Sequence, residues 1–195
     1  MTERNAPRPR RVLLGVTGGV AAYKSAALTS KLVQAGVEVR IAMTEAAQRF
    51  VGPVTFQSLS GRPAVTSIWA PDDHPDSPHI GLARWCDLML IAPCTANCLA
   101  KLAAGLTDDP VTLPASALPA ETPLLVAPAM NADMWARPIV RRNLDTLHEL
   151  LPRFATVGPD AGWQACRTDG SGRMAEPQDL FDAVQATLAA DPDPS

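Results

Sequence analysis

The sequence predicts a single α/β domain: a three-layer, doubly wound parallel sheet of the flavodoxin-like or Rossmann-like type. Short apolar runs alternate along the chain with longer amphipathic stretches, which is typical of βαβ units. Turns of glycine and small polar residues follow several apolar runs, as expected where a parallel sheet binds ligands at its carboxyl edge. The length of 195 residues suits one domain whose core needs no disulfide or metal ion.

The predicted sheet begins with the apolar run 11–16, which forms a buried first strand. Apolar residues then recur at helical spacing over 20–34, and Gly36 follows as a helix-ending residue. The side chains that we expect to face the sheet are Val20, Ala27, Leu28 and Leu32. Residues 37–43 form the predicted second strand, and Thr44 is suited to cap a short helix after it.

The remaining elements follow the same alternation and give a sheet of five or six strands. Further strands are predicted at 88–92, 124–127 and 154–157, and further helices at 97–104, 137–150 and 179–190. Residues 1–10, which are basic, and residues 191–195 are expected to be disordered tails around a domain spanning 11–190. The Pro- and Asp-rich stretch 70–78 is expected to be an exposed loop.

Composition excludes several classes of function. A net charge of -3 gives no broad basic surface, so nucleic acid is not an expected partner. No apolar stretch approaches the ~20 residues of a membrane span, so we expect a cytoplasmic protein without a membrane partner. The four cysteines form no CxxC and the three histidines show no ligand spacing with them, so no metal site is expected.

The turn after the first strand predicts a phosphate site. Gly18 and Gly19 let the backbone approach an anion, and the helix that begins there supplies N–H groups and a positive dipole end. The pattern is not GxGxxG, and the second strand ends at Thr44 rather than at an acidic residue that would hold a ribose. The local sequence therefore favours a mononucleotide such as FMN over a dinucleotide.

A second turn, 93–97, repeats this arrangement at the end of another predicted strand. Small polar residues precede a helix, and Asn97 either caps that helix or contributes to a ligand site. Two such turns at neighbouring carboxyl edges indicate one shared ligand.

The string PAMNADMW at 128–135 is the most specific signal in the chain. It resembles the substrate-recognition motif of the homo-oligomeric flavin-containing cysteine decarboxylases. The turn and helix at 17–24, the pair His79-Ile80, the stretch 92–97 and the glycine-rich stretch 162–174 resemble further motifs of that family. The resemblance covers the chain from Val12 to about Pro177.

The resemblance implies roles for particular residues. His79 is implied as a catalytic base, Asn131 as the ligand of the substrate carboxylate, and Cys166, in a substrate-covering flap at about 160–175, as a proton donor. The residues implied to bind FMN are Gly18, Gly19, Val20, Thr44, Thr95, Ala96 and Asn97. Those implied to bind substrate are Asn131, Ala129, Met130, Ala165, Arg173 and Met174. Self-association as a trimer or a trimer-built dodecamer is also implied.

The resemblance, at 158–160, 164–166 and 170–174 in particular, implies 4'-phosphopantothenoylcysteine as the substrate and 4'-phosphopantetheine as the product, in coenzyme A biosynthesis. In this family the flavin oxidises the CH₂–SH group to a thioaldehyde, whose C=S bond accepts the electron pair as CO₂ leaves. The resulting enethiol is then reduced. Arg167 stands where glycine normally follows the flap cysteine, while Cys94 and Cys98 stand where alanine and threonine are usual.

Alternatives from the same scaffold remain open. One is oxidative decarboxylation of a C-terminal peptidyl cysteine, in which the enethiol is released. Another is a non-catalytic regulator of the halotolerance type, and a third is a flavin prenyltransferase. Cys166 favours the coenzyme A enzyme over the peptide decarboxylase, and together with the string at 128–135 it argues against the prenyltransferase. The coexistence of His79, Asn131 and Cys166 argues against a pure regulator.

Overall fold

A five-stranded parallel sheet forms the centre of the molecule, whose structure is a computed structural model. The structure describes residues 8–69, 78–165 and 167–190. The strands are β1 (Arg11–Val16), β2 (Glu38–Met43), β3 (Leu88–Cys94), β4 (Leu124–Pro128) and β5 (Phe154–Thr156). Their order is β2-β1-β3-β4-β5, which is that of flavodoxin-like sheets and places the reversal of strand order between β1 and β3. The predicted fold class is confirmed.

Helices cover both faces of the sheet and a separate hairpin follows β5. The helices are α1 (Ala22–Gln34), α2 (Pro53–Ser60), α3 (Pro78–Trp85), α4 (Ala96–Ala104), α5 (Thr112–Ser116), α6 (Ala132–Trp135), α7 (Pro138–Leu150) and α8 (Pro177–Ala190). The hairpin consists of the antiparallel strands β6 (Asp160–Trp163) and β7 (Asp169–Arg173). No helix in the described part of the chain has the length and apolar character that crossing a bilayer requires.

Two apolar cores lie on opposite faces of the sheet, so the domain has three layers. One core packs β1 and β3 against α1, α2 and α8; its buried side chains include Leu14, Leu28, Phe56, Leu90 and Val184. The other packs the opposite face against α3, α4 and α7; its buried side chains include Leu13, Leu82, Ile91, Leu99 and Leu144. Burial of this apolar surface is the main stabilising contribution to the fold.

The predicted orientation of α1 was wrong at two positions. Val20 is 56% exposed and Ala27 is also exposed, whereas Leu28 and Leu32 are buried as predicted. Two polar residues share the buried face with the leucines, because their hydroxyls find backbone partners: Ser25 donates to Ala92 O at 2.6 Å and Thr29 to Ser25 O at 2.8 Å. Apolar spacing alone does not reveal such a face.

The start of the chain also differs from the prediction. Residues 8–10 belong to the predicted disordered tail, yet Arg8 forms two hydrogen bonds with the Asp87 carboxylate, at 2.6 and 2.9 Å. The Arg10 carbonyl accepts a hydrogen bond from Glu38 N at 2.8 Å. Residues 1–7, 191–195 and most of the predicted loop (70–77) lie outside the described residues. Pro78, at the end of that loop, begins α3.

The tip of the hairpin contains a strained residue. Gln164 N donates to Thr168 O and Arg167 N donates to Gln164 O, both at 2.9 Å, which closes a tight turn. Arg167 has a φ of 64°, in the left-handed region that glycine adopts without steric cost. An L side chain in this conformation costs about 1 kcal/mol.

Arg167→Gly is therefore expected to stabilise the protein by about 0.5–1 kcal/mol, since relief of this strain exceeds the added freedom of the unfolded chain. Urea unfolding followed by circular dichroism measures the difference. Gly52→Ala serves as a reference, because Gly52 has a φ of -68° and no atom within 4 Å of an added Cβ. An unchanged or lower midpoint for Arg167→Gly would contradict the expectation.

Candidate active site

A cavity of about 920 Å³ opens at the carboxyl edge of the sheet. Its walls come from the turns that follow β1, β2 and β3, together with Ala129 and Met130 after β4. Six residues predicted to bind a mononucleotide line it, namely Gly18, Gly19, Thr44, Thr95, Ala96 and Asn97. Val20, the seventh, lines a second cavity instead. The first cavity lies at the reversal of strand order, where ligands bind in this class of sheet.

A buried threonine joins the first and second turns. Thr17 is 1% exposed; its hydroxyl donates to Pro93 O at 2.6 Å and accepts from Thr95 N at 3.2 Å. Thr95 in turn caps α4, because its Oγ1 accepts from Cys98 N at 3.3 Å. Of the two roles left open for Asn97, the capping role is excluded, because Asn97 lies inside the helix and is exposed toward the cavity. Asn and Thr both suit an N-cap, so sequence alone places this boundary only to within a residue or two.

The N-terminus of α1 has the properties of an anion site. No side chain caps it, and its first turn contains no acidic residue. The helix dipole favours negative charge there, although two of the first N–H groups are already used: Ala22 N donates to Gly19 O and Lys24 N donates to Ala21 O, both at 3.0 Å. On the other side, Thr44 Oγ1 accepts from Ala47 N at 3.2 Å, which holds that turn beside the same cavity.

Gly18 is required by a close approach of two backbone segments. A Cβ at this position would meet Ala46 Cβ at 2.4 Å and Ala46 C at 2.9 Å, and neither atom can rotate away. Gly18→Ala is therefore expected to displace the turn and to weaken flavin binding by roughly a hundredfold, from a strain of about 3 kcal/mol. Fluorescence titration of the apoprotein with FMN measures it; Gly52→Ala should bind as the parent does, and an unaltered affinity in Gly18→Ala would refute the assignment.

A charged cluster lies at the rim of the first cavity. Lys101 Nζ donates to Asp108 at 2.7 Å and to Asp109 at 2.9 Å, while the other Asp109 oxygen accepts from Val111 N and Thr112 N. The hydrogen bond from Lys101 lowers the pKa of the Asp108 carboxyl, and the same bond raises the pKa of Lys101. The cluster fixes the segment from the end of α4 to α5 against the cavity.

A second cavity, of about 510 Å³, lies between the hairpin and the turn that joins β1 to α1. It shares Gly19, Ala129 and Met130 with the first cavity, so the two adjoin. All six residues predicted to bind substrate line it: Ala129, Met130, Asn131, Ala165, Arg173 and Met174. The hairpin β6–β7, which lies within the predicted flap at about 160–175, provides one wall.

A buried lysine, to which the sequence analysis gave no role, anchors the hairpin to α1. Lys24 is 6% exposed, and its Nζ donates to Met174 O and to Glu176 Oε1, both at 2.9 Å. The hydrogen bond from Lys24, assisted by the charges of Lys24 and Arg173, lowers the pKa of Glu176. The helix α1, whose first residues line the second cavity, is thereby attached to the segment that follows the hairpin.

Asn131 caps the helix α6, a purely structural role that could by itself explain an asparagine at this position. Its Oδ1 accepts from Asp133 N at 2.8 Å and from Met134 N at 3.4 Å, at the start of α6. These bonds orient the amide in the wall of the second cavity. Capping and substrate binding are therefore compatible for this residue.

The structure does not bring His79 to the other predicted residues. His79 lies in the first turn of α3, partly buried, and is absent from the described linings of both cavities. Cys166, the other predicted catalytic residue, lies outside the described residues. Within the described part of the chain, no group of three or more His, Cys, Asp or Glu side chains is placed to hold a metal ion.

The other cysteines are packing residues. Cys86, Cys94 and Cys98 are buried and unpaired. Burial raises the pKa of Cys86 to about 12, and a hydrogen bond with Cys94 together with burial raises the pKa of Cys98. Cys86 and Cys98 therefore remain neutral thiols near pH 7, which makes them poor nucleophiles.

Comparison with known proteins identifies the family. The chain matches the Flavoprotein family over residues 1–189. It is 43% identical over 180 residues to the coenzyme A biosynthesis bifunctional protein CoaBC of Bacillus subtilis, which covers 92% of this chain and 43% of that protein. It is 44% identical over 171 residues to the protein of the same name from Vibrio cholerae, which covers 88% and 42%. The chain thus spans less than half the length of these relatives.

Solved structures of similar proteins have the same fold over almost the whole length of this chain. A cysteine-to-serine variant of PPC decarboxylase in complex with pantothenoylaminoethenethiol has a TM-score of 0.82 at 33% identity, covering 93% of this chain and 100% of that one. The FMN-binding protein AtHal3 has a TM-score of 0.80 at 34% identity, covering 95% and 100%. The FMN-dependent cysteine decarboxylase SpaF has a TM-score of 0.78 at 32% identity, covering 93% and 98%. The chain therefore belongs to the flavoprotein family, in its group of flavin-containing decarboxylases.

Proposed function

We propose that this chain is an FMN-dependent phosphopantothenoylcysteine decarboxylase, which converts 4'-phosphopantothenoylcysteine to 4'-phosphopantetheine in coenzyme A biosynthesis. The observation that carries the proposal is the pair of adjoining cavities. One is built for a mononucleotide at the strand reversal, and the other is closed by a hairpin over Asn131. The names of the similar proteins, CoaBC and PPC decarboxylase, support the same substrate.

The first cavity fits FMN in size and chemistry. A volume of about 920 Å³ lies within the range of roughly 300–1,000 Å³ that ligand pockets occupy. Gly18, Gly19 and Thr44 line this cavity and suit a phosphate, and Val20, which lines the adjoining cavity, follows them in the turn that leads into α1. Thr95, Ala96 and Asn97 would hold the flavin ring next to Ala129 and Met130, where the two cavities meet.

When bound, FMN supplies the two-electron oxidation of the substrate thiol to a thioaldehyde and the later return of those electrons. The C=S bond of the substrate then accepts the electron pair as CO₂ leaves, which gives an enethiol. In our proposal Asn131 binds the carboxylate through an uncharged amide, which orients the group without opposing the loss of its charge. His79 accepts a proton in the first half of the reaction, as a general base whose free ring nitrogen takes the proton. Cys166 donates a proton to the enethiol.

The remaining predicted substrate residues shape the second cavity around the rest of the substrate. Ala129, Met130 and Ala165 form its sides, and Met174, 1% exposed, forms its base. Arg173 contributes a cation to this cavity, and its carboxylate neighbour Glu176 lies at 3.3 Å. Lys24 also lines this cavity, so its charged lining of Lys24, Arg173 and Glu176 carries a net positive charge that suits an anionic substrate.

The position of His79 supports a shared active site. Since His79 does not line the described cavities of its own chain, we propose trimer-based self-association in which His79 of one copy reaches the cavities of another. Complementation tests this arrangement: equal amounts of His79→Asn and Asn131→Ala chains are unfolded together and refolded with FMN. Recovery of activity supports a shared site, and permanent inactivity of the mixture contradicts it.

We place the activity in the cytoplasm. The proposed substrate carries a free thiol, and the three described cysteines are unpaired. Thiols remain reduced in that compartment.

The decisive experiment combines spectroscopy with product analysis. Purified protein should show the absorbance of bound FMN, release CO₂ from 4'-phosphopantothenoylcysteine and form 4'-phosphopantetheine, identified by mass spectrometry. A peptide with a C-terminal cysteine is assayed in parallel, because SpaF is an FMN-dependent cysteine decarboxylase of similar structure. Turnover of the peptide alone would replace our proposal with peptide maturation. FMN binding without any turnover would favour a regulator of the halotolerance type.

A further inference from the structure

Gln164 is a buried polar residue at the tip of the hairpin. It is 7% exposed, directly follows β6 and lines the second cavity. A buried amide is stable only when its donors and acceptors find partners. The partners of Gln164 therefore indicate what the side chain holds in place.

Those partners are the peptide groups on either side of Asn131. Gln164 Oε1 accepts from Ala132 N at 3.0 Å, and Gln164 Nε2 donates to Met130 O at 3.4 Å. Nε2 also donates to Ser171 O, on the opposite strand of the hairpin, at 3.4 Å. One side-chain amide thus connects the two strands of the flap to the backbone immediately before and after the proposed carboxylate ligand.

The backbone of β7 reinforces the same contact. Met130 N donates to Gly172 O at 2.9 Å. The approach is so close that a Cβ on Gly172 would meet Met130 O at 2.4 Å. The segment Met130–Ala132 is therefore held from the hairpin side by one side chain and one strand, while Asn131 caps α6 on its other side.

We propose that Gln164 is a positioning residue for Asn131, which makes recognition of the substrate carboxylate depend on docking of the flap. The proposal rests on the proposed function. A hairpin that moves away from the second cavity withdraws Gln164 from both peptide groups, and Asn131 then loses the orientation in which its amide meets a carboxylate. Closure over substrate and alignment of the carboxylate become one event.

Two ligands, one with and one without the carboxylate, distinguish a positioning role of Gln164 from a general structural role. The probes are 4'-phosphopantothenoylserine, which keeps the carboxylate but lacks the thiol, and the matching amide of ethanolamine, which lacks both. Gln164→Leu removes the acceptor for Ala132 N and the donor for Met130 O at similar volume. We expect this variant to bind the serine compound roughly tenfold to a hundredfold more weakly, and the ethanolamine compound within about twofold of the parent.

Two further variants complete the design. Gln164→Glu keeps the acceptor for Ala132 N, but it loses the donor for Met130 O and Ser171 O and places a carboxylate in the second cavity, so it should lose at least as much affinity for the serine compound as Gln164→Leu. Gln178→Leu makes the same substitution at an exposed glutamine in α8, whose partners are Lys31 and Asp182 and which lines neither described cavity. It should bind both ligands as the parent does.

Isothermal titration of FMN-loaded protein gives the affinities, and flavin absorbance reports whether each variant is folded. An equal loss for both ligands, or no loss for either, in Gln164→Leu would overturn the proposal while the parent protein still decarboxylates its substrate. A parent protein that binds neither ligand and releases no CO₂ would refute the proposed function, and this inference with it.

Discussion

His79→Asn is expected to lower the rate of CO₂ release by about two to four orders of magnitude while leaving FMN bound. Asparagine can hydrogen bond but cannot accept a proton near neutral pH, so the variant retains polarity and loses the base. FMN binding should persist because His79 lies in α3, away from the described lining of the first cavity. Stopped assays of ¹⁴CO₂ release, together with flavin absorbance, measure both quantities.

His148→Asn is the matched control for this prediction. His148 lies in α7, where its ring packs edge-on against Phe154 at a centroid distance of 4.8 Å and contacts Thr156 Oγ1 at 3.3 Å. It lines neither described cavity, so its replacement should leave the rate within about twofold of the parent. Full activity in His79→Asn would remove the catalytic assignment of His79.

Gly172→Ala is expected to have the next largest effect. Gly172 has a φ of 133°, and an added Cβ would meet Met130 O at 2.4 Å and Gln164 Nε2 at 3.0 Å. The hairpin must then move off the segment that carries Asn131, which breaks the hydrogen bond from Met130 N to Gly172 O. A penalty of about 3 kcal/mol corresponds to a loss of roughly a hundredfold in kcat/KM.

The loss should appear without loss of the flavin, because Gly172 belongs to the second cavity and not to the first. Steady-state kinetics, with flavin content measured on the same sample, test this separation. Gly52→Ala again provides the reference, since that position has an ordinary φ and open space around it. Parent-like kinetics in Gly172→Ala would show that the hairpin does not need to dock on Met130.

Sequence patterns predicted the sheet because its strands are buried on both faces. Continuous apolar runs gave β1, β3 and β4 to within two residues, and polar turns at their carboxyl ends gave the site. The short helices α2, α3 and α5 were missed, because five to eight residues contain too few turns to establish a helical period. The hairpin was expected only as a flap, since its glycine-rich strands lack the alternation of a half-buried sheet.

Local sequence patterns could not predict the long-range contacts that complete the site. Lys24 meets Glu176 across 152 positions of sequence, and Gln164 meets Ala132 across 32. Such contacts depend on how the chain returns to the carboxyl edge after β5, which spacing does not determine. The buried hydroxyl of Thr17 was missed for the same reason, because its partner Pro93 lies 76 positions away.

The hairpin β6–β7 pairs with itself and contributes no strand to the five-stranded sheet. Insertions or substitutions in it therefore leave every hydrogen bond of the central ladder in place. Evolution can alter one wall of the second cavity at little risk to the scaffold or to the flavin cavity. Sequence divergence confined to this hairpin is therefore a simple route from one ancestral flavoprotein to descendants that accept different cysteine-bearing molecules.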